Sequence, residues 1–153
     1  MLQRLLRLQA RASHTFAFPP KTFETHLCAA PADSTTASRE ELLGLFKSMV
    51  AIRRLETACD QAYKSKLIRG FCHLSTGQEA IAAGMEAAIT AKDSIITAYR
   101  CHGFALNRGV SATAIIAELM GRATGSSRGK GGSMHLFGPE FYGGNGIVGA
   151  QVL

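Results

Sequence analysis

Asp93-Ser94-Ile95-Ile96-Thr97-Ala98-Tyr99-Arg100-Cys101-His102-Gly103 is the stretch on which the fold turns. Its first seven residues are short, β-branched at the centre and opened by Lys92-Asp93, the composition of a buried strand rather than a helix. Arg100 to Gly103 then stand at the strand's C-terminal edge, where open α/β sheets bind ligands. Helical patterns lie on both sides, so the segment reads as the first strand of an α/β domain.

The first helical pattern lies upstream. Ser38 and Glu41 have the S-x-x-E spacing in which a hydroxyl and a carboxylate reciprocally satisfy the first free amides of a helix. Leu42, Leu45, Phe46, Met49, Val50, Ile52 and Leu55 then recur at a helical period, with Arg53, Arg54, Glu56 and Asp60 assigned to the polar faces. This helix is expected to run to about Lys66. Gly70 breaks it, and Thr76 with Glu79 gives a second capping signature ahead of an alanine-rich helix from about Gln78 to Thr90. Downstream of the strand, Ser111 caps a further pattern through Ile115, Ile116, Leu119 and Met120, which Gly121 closes.

Beyond it, Arg128 to Val152 holds eight glycines in twenty-five residues. Glycine costs conformational entropy wherever the chain is ordered, so this density points to positive φ or to close approach by another group, such as a cofactor. Met134, Leu136, Phe137, Phe141 and Tyr142 are interleaved with the glycines, which a solvated linker does not need. Neither G-x-x-x-x-G-K-[ST] nor G-x-G-x-x-G is present.

The 153 residues carry a formal charge of +6. Residues 1–23 hold Arg4, Arg7, Arg11 and Lys21 and no acid, which leaves +2 for everything after them and removes the main support for a nucleic-acid partner. Leu2, Leu5 and Leu6 lie opposite those arginines on a helical wheel, so residues 1–25 read as a mitochondrial transit peptide of a soluble protein. Residues 26–37 read as a linker or arm, part of a stretch from 13 to 37 that has no sustained period, and 38–153 as the folded domain. No apolar run is long enough for a membrane span. Cys28, Cys59, Cys72 and Cys101 make no C-x-x-C pair, and adjacent Cys-His pairs at 72–73 and 101–102 are poorly suited to one metal ion, so no metal site is expected.

Three side chains stand out for chemistry. Arg100 offers a fixed fork of donors that matches phosphate oxygens, Tyr99 precedes it, and His73 sits in the turn between two helices with an imidazole suited to proton transfer or anion contact. A surface ion pair for Arg100 and a structural hydrogen bond for each histidine are the plain alternatives.

Taken together, Gly70-Phe71-Cys72-His73-Leu74 with Gly77-Gln78-Glu79-Ala80, Tyr99-Arg100-x-His102-Gly103, Gly129-Lys130-Gly131-Gly132-Ser133-Met134-His135 and Phe141-Tyr142-Gly143-Gly144-Asn145-Gly146-Ile147-Val148-Gly149-Ala150-Gln151 resemble the alpha subunits of mitochondrial pyruvate dehydrogenase. The resemblance covers about Glu40 to Val152. It implies the N-terminal portion of a doubly wound thiamine-diphosphate fold, in which Tyr99 and Arg100 hold the diphosphate and His73 lies in the active site. Gly146 and Val148 would offer backbone groups to the aminopyrimidine ring. The implied activity is oxidative decarboxylation of pyruvate with acetyl transfer to lipoamide, giving acetyl-CoA in a complex of the mitochondrial matrix. The implied partners are a beta subunit, in an alpha2-beta2 heterotetramer, and the dihydrolipoyl acetyltransferase core.

The family continues after Gln151-Val152 with Pro-Leu-Gly and then a Gly-Asp-Gly motif that binds magnesium. Here Leu153 stands at the proline and the magnesium ligands do not follow, so the fold is expected to be incomplete and the chain inactive by itself. An alpha subunit of a related 2-oxo acid or acetoin dehydrogenase, and a non-catalytic short isoform that binds the beta subunit, are the alternatives that the residues leave open.

Overall fold

A computed structural model describes residues 13–146. The first twelve residues, where the amphipathic arginine pattern lies, and residues 147–153, with Val148, are outside them. The chain divides into two compact units, one up to Phe46 and one from Lys47 onward.

In the first unit, β1 (Ser13–Ala17) pairs antiparallel with β2 (Ser34–Ser38), Ser13 opposite Ser38 and Ala17 opposite Ser34. The strands are almost wholly exposed, which is why no alternation of apolar and polar residues announces them in a stretch expected to be irregular. Threonines at 15, 35 and 36 suit extended backbone without needing a buried face. The turn between them is tied by the Thr22 hydroxyl donating to Pro19 O at 2.6 Å and by edge-to-face packing of Phe18 on Phe23.

Helix α1 (Arg39–Lys64) begins at the expected capping box. The Ser38 amide donates to Glu41 Oε2 at 2.6 Å and the Glu41 amide donates to Ser38 Oγ at 3.2 Å. Gly44 sits in this helix, exposed, with nothing within 4 Å of where a Cβ would stand. Gly44→Ala should therefore raise stability by about 0.5–1 kcal/mol through helix propensity alone. A thermal melt of the variant checks this, and a lower midpoint would show a steric constraint that the structure lacks.

The second unit contains the remainder of α1, then α2 (Glu79–Ala88), β3 (Ile95–Ala98), α3 (His102–Asn107), α4 (Ala112–Leu119) and β4 (Phe141–Asn145). Helix α2 does not start as the sequence suggests. Thr76 makes no cap, the residue before the helix is Gln78 without a side-chain bond, and Glu79 is taken by a stronger partner. Its carboxylate receives both the Nε–H and an Nη–H of Arg53 on α1, together with the Gly77 amide at 3.0 Å. The Arg53 bonds hold the Glu79 carboxyl down to about 2.

Helix α4 keeps both its signals. Ser111 Oγ accepts from the Ala114 amide at 3.2 Å, and at the other end the Gly121 amide donates to Glu118 O and the Arg122 amide to Ala117 O. That double bond pattern requires a left-handed residue between them, and Gly121 supplies it at φ 68°.

Strand β4 is a finding beyond the sequence, in which the glycines of 128–152 point to positive φ or close approach by a cofactor and not to a strand. It runs parallel to β3 with Ile95 opposite Phe141, Thr97 opposite Gly144 and Ala98 opposite Asn145. Three residues of advance on β4 meet two on β3, so the strand bulges, and Gly143 at φ 87° lies within the bulge. Phe141, Ile95, Leu136, Ile115, Leu119 and Ala105 join the helices and this sheet in one buried cluster. Full burial of the Phe141 ring alone contributes about 3 kcal/mol. These elements make a small α/β unit whose parallel pair ends, on its C-terminal side, at Tyr99 and Gly146. No described helix is long and apolar enough to cross a membrane.

Candidate functional site

The parallel register decides which residues share this edge. Because Ala98 is opposite Asn145, the next residue on each chain is Tyr99 on one side and Gly146 on the other, with Arg100 one step further. The loop between α1 and α2 brings His73 to the same place: its imidazole packs edge-on against the Tyr99 ring, centroids 5.3 Å apart, and against Phe71 at 5.2 Å. Arg100 lies 5.4 Å over the Tyr99 ring, within cation–π range, and one of its guanidinium N–H groups donates to Leu74 O, fastening the His73 loop from outside. Four of the five residues singled out in the sequence thus gather at one sheet edge. The fifth, Val148, lies outside the described residues.

This edge sets an exposed guanidinium beside a partly buried imidazole. Arg100 is exposed and keeps donors beyond the one bound to Leu74. His73 Nδ1 is buried with no hydrogen-bond partner among the described residues. Burial, and then the charges of Arg100 and His102, push the His73 imidazole below its ordinary value, which keeps it neutral at pH 7 and able to accept a hydrogen bond. At Gly146 a Cβ would stand 3.3 Å from the Met134 methyl, so the strand exit is hemmed on that side and leaves its backbone as the accessible surface.

Beneath the edge is a network that periodicity does not reveal. Glu56, placed by its charge on a polar face of α1, is instead fully buried, and so is His102. Glu56 Oε1 accepts from the Ser75 amide at 3.1 Å and the Ser75 hydroxyl at 2.7 Å; Oε2 accepts from His102 Nδ1 at 2.9 Å. Burial raises the Glu56 carboxyl, but the bonds from His102 and Ser75 outweigh it and the net shift is downward. The readable signal is position: Glu56 follows Ile52 by four residues and precedes Cys59 by three, on the helix face that carries the core.

A second buried carboxylate, Glu118 on α4, frames the glycine-rich loop. Oε2 accepts the amides of Ser127 and Gly129 at 2.7 and 2.8 Å, and Oε1 that of Gly131 at 2.7 Å. Three consecutive odd-numbered amides on one carboxylate require a tightly curled backbone. At Gly129, with φ 75°, a Cβ would collide with Gly121. Burial pushes the Glu118 carboxyl up and these amides more than offset it.

Residues 47–153 match the Dehydrogenase E1 component family. The alpha subunit of the mitochondrial pyruvate dehydrogenase E1 component from Schizosaccharomyces pombe is 61% identical, an alignment covering 91% of this chain and 35% of that one. Its counterpart from Saccharomyces cerevisiae is 63% identical over 88% of this chain and 32% of its own, and that from Dictyostelium discoideum 53% identical over 99% and 43%. The chain thus spans about a third of the length of the first of these relatives.

Proposed function

The chain belongs to the dehydrogenase E1 component family, and from that premise we propose that it serves as an alpha-type chain of a thiamine-diphosphate-dependent pyruvate dehydrogenase. The reaction is oxidative decarboxylation of pyruvate with acetyl transfer to the lipoyl group of a dihydrolipoyl acetyltransferase, carried out with a beta subunit in the mitochondrial matrix. Thiamine diphosphate supplies the electron sink for decarboxylation.

The observation that carries this reading is the convergence of His73, Tyr99, Arg100 and Gly146 on one strand edge. The donors fit the cofactor's ends. Arg100, steadied by Tyr99, would take the diphosphate; the backbone at Gly146 and Val148 would meet the aminopyrimidine; His73, with an unpartnered buried nitrogen, would accept or hold a proton near the reacting carbons. None of these residues would hold the magnesium that accompanies the diphosphate. Relatives named for the alpha subunit support the pyruvate assignment, and their mitochondrial names support the location.

Calorimetric titration of thiamine diphosphate and magnesium into the chain co-purified with a beta subunit tests the reading. Arg100→Ala should weaken binding about 10- to 100-fold, the worth of one charge-assisted pair, with a melting temperature only slightly lowered because Arg100 is exposed and loses just its bond to Leu74 O. Equal binding by wild type and variant would remove Arg100 from the site, and no binding by either would remove the cofactor. A panel of 2-oxo acids and acetoin offered to the same assembly separates pyruvate from the substrates of related dehydrogenases.

A further inference from the structure

The loop that carries His73 is held from below as well as from outside. Ser133, in the glycine-rich segment, accepts the His73 amide through its Oγ at 2.8 Å. The same Oγ lies 3.0 Å from His102 Nε2, and His102 Nδ1 lies 2.9 Å from Glu56 Oε2. A carboxylate and a carbonyl can only accept, so Nδ1 donates to Glu56 and Nε2, which also lies 3.1 Å from Ser133 O, donates to Ser133, whose Oγ accepts from His73 as well. The circuit returns to the loop at Ser75, whose amide and hydroxyl both donate to Glu56 Oε1.

We propose that Glu56, His102 and Ser133 form a buried positioning relay that sets the backbone of His73 and, through it, the aim of the imidazole at the site described above. The inference rests on the reading in which His73 faces the cofactor. Glu56 and His102 are fully buried and Ser133 nearly so, and groups of this polarity pack no better than apolar side chains of the same volume while costing desolvation. What they provide is direction. Both ends of the relay meet one three-residue segment, at His73 N and at Ser75, while the His73 ring has no hydrogen bond at Nδ1 among the described residues to orient it. Ring orientation therefore depends on where the backbone is held.

Cys59 Sγ lies within 4.8 Å of ligand atoms of Glu56 and His102, a spacing that would admit a transition metal. Every oxygen of Glu56 and both nitrogens of His102 already have hydrogen-bond partners, however, and burial pushes the Cys59 thiol up to about 12, away from the thiolate that a metal binds. The cluster is complete as a hydrogen-bonded relay.

The test uses the isotopically labelled full chain and two variants, Ser133→Ala and His102→Asn, the latter too short to reach from Glu56 to Ser133. In both, exchange of the His73 amide should accelerate at least tenfold while the Gly129 and Gly131 amides, held by Glu118, keep their wild-type rates. The His73 imidazole titration should move upward, because a released ring regains water. Ser133→Thr, which keeps the hydroxyl, should restore both. Unchanged exchange and titration at His73 in the two variants would overturn the relay. So would a general loss of protection with a lower melting temperature, which would make these residues merely structural. Neither readout needs cofactor or partner, so a negative binding result for Arg100→Ala and a negative result here are separate failures.

Discussion

Glu118→Gln is expected to lower the stability of the chain by about 3–5 kcal/mol, the cost of removing the charge from a buried group on which fixed donors converge. The substitution keeps the shape of the side chain, so the effect isolates charge and acceptor capacity. Three amides reach the carboxylate, two on Oε2 and one on Oε1. An amide side chain presents one oxygen and one NH2, so whichever way it turns, at least one backbone N–H faces another donor. Among the described residues the Ser127, Gly129 and Gly131 amides have no other acceptor, and Glu118 is itself wholly inaccessible to water. Melting should fall by more than about 10 °C, and amide exchange at Gly129 and Gly131 should rise before that of the α4 core.

The pH dependence has a definite sign. The folded carboxyl lies below its ordinary 4.5, so its contribution is complete above pH 4.5 and is lost as the pH falls through the folded value. The gap between wild type and Glu118→Gln should be constant from neutral pH to about that point and close in stronger acid. A melting temperature within 2 °C of wild type at pH 7 would show that the loop does not depend on this carboxylate.

How much of this was legible depended on whether a residue's partner lay nearby in sequence. The capping box at Ser38 and Glu41, the Ser111 cap and the Gly121 stop are all local, and each was readable from spacing. Strand β3 was readable because Ile95-Ile96-Thr97 favours extended backbone whatever surrounds it. The second capping signature failed because Glu79, with the right spacing to Thr76, is claimed by Arg53 from a helix twenty-six residues earlier. Glu56 was misassigned for the same reason: charge alone suggests solvent, whereas its burial is compensated by Ser75 and His102, nineteen and forty-six residues away. Strand β4 was hidden by its glycines, which propensity excludes from strands and which only the geometry of the neighbouring chain explains. Of the candidate site, the convergence of the motif residues follows from short motifs in the sequence, but the support beneath them does not.

Those glycines give the second large effect. Gly144 lies opposite Thr97 in the parallel pair, and a Cβ there would collide with the Met134 carbonyl, stand 2.7 Å from the Ala98 carbonyl and 2.9 Å from Cys101 Sγ. Two of these obstacles are backbone carbonyls, so no rotamer change relieves them. The buried Cys101 thiol points at the Met134 carbonyl at 3.5 Å and has little freedom to retreat. Overpacking of a core costs about 1–3 kcal/mol when side chains can adjust, and Gly144→Ala should reach or exceed the upper end because main chain must move instead. The direction of that movement matters more than its cost. Pushing β4 away from β3 at Gly144 parts Asn145 from Ala98, and with them Gly146 from Tyr99, the two ends of the proposed cofactor edge. Gly144→Ala should therefore lose thiamine diphosphate binding in the beta-subunit assembly even at temperatures where the variant stays folded. Gly77→Ala separates the clash from backbone strain: its φ of 90° is unfavourable for alanine, as that of Gly144 is not, but nothing lies within 4 Å of the added carbon, so it should cost about 1 kcal/mol or a little more and leave cofactor affinity unchanged. Equal losses of affinity in the two variants would mean that strain anywhere in the unit, and not the contact between β3 and β4, governs the edge.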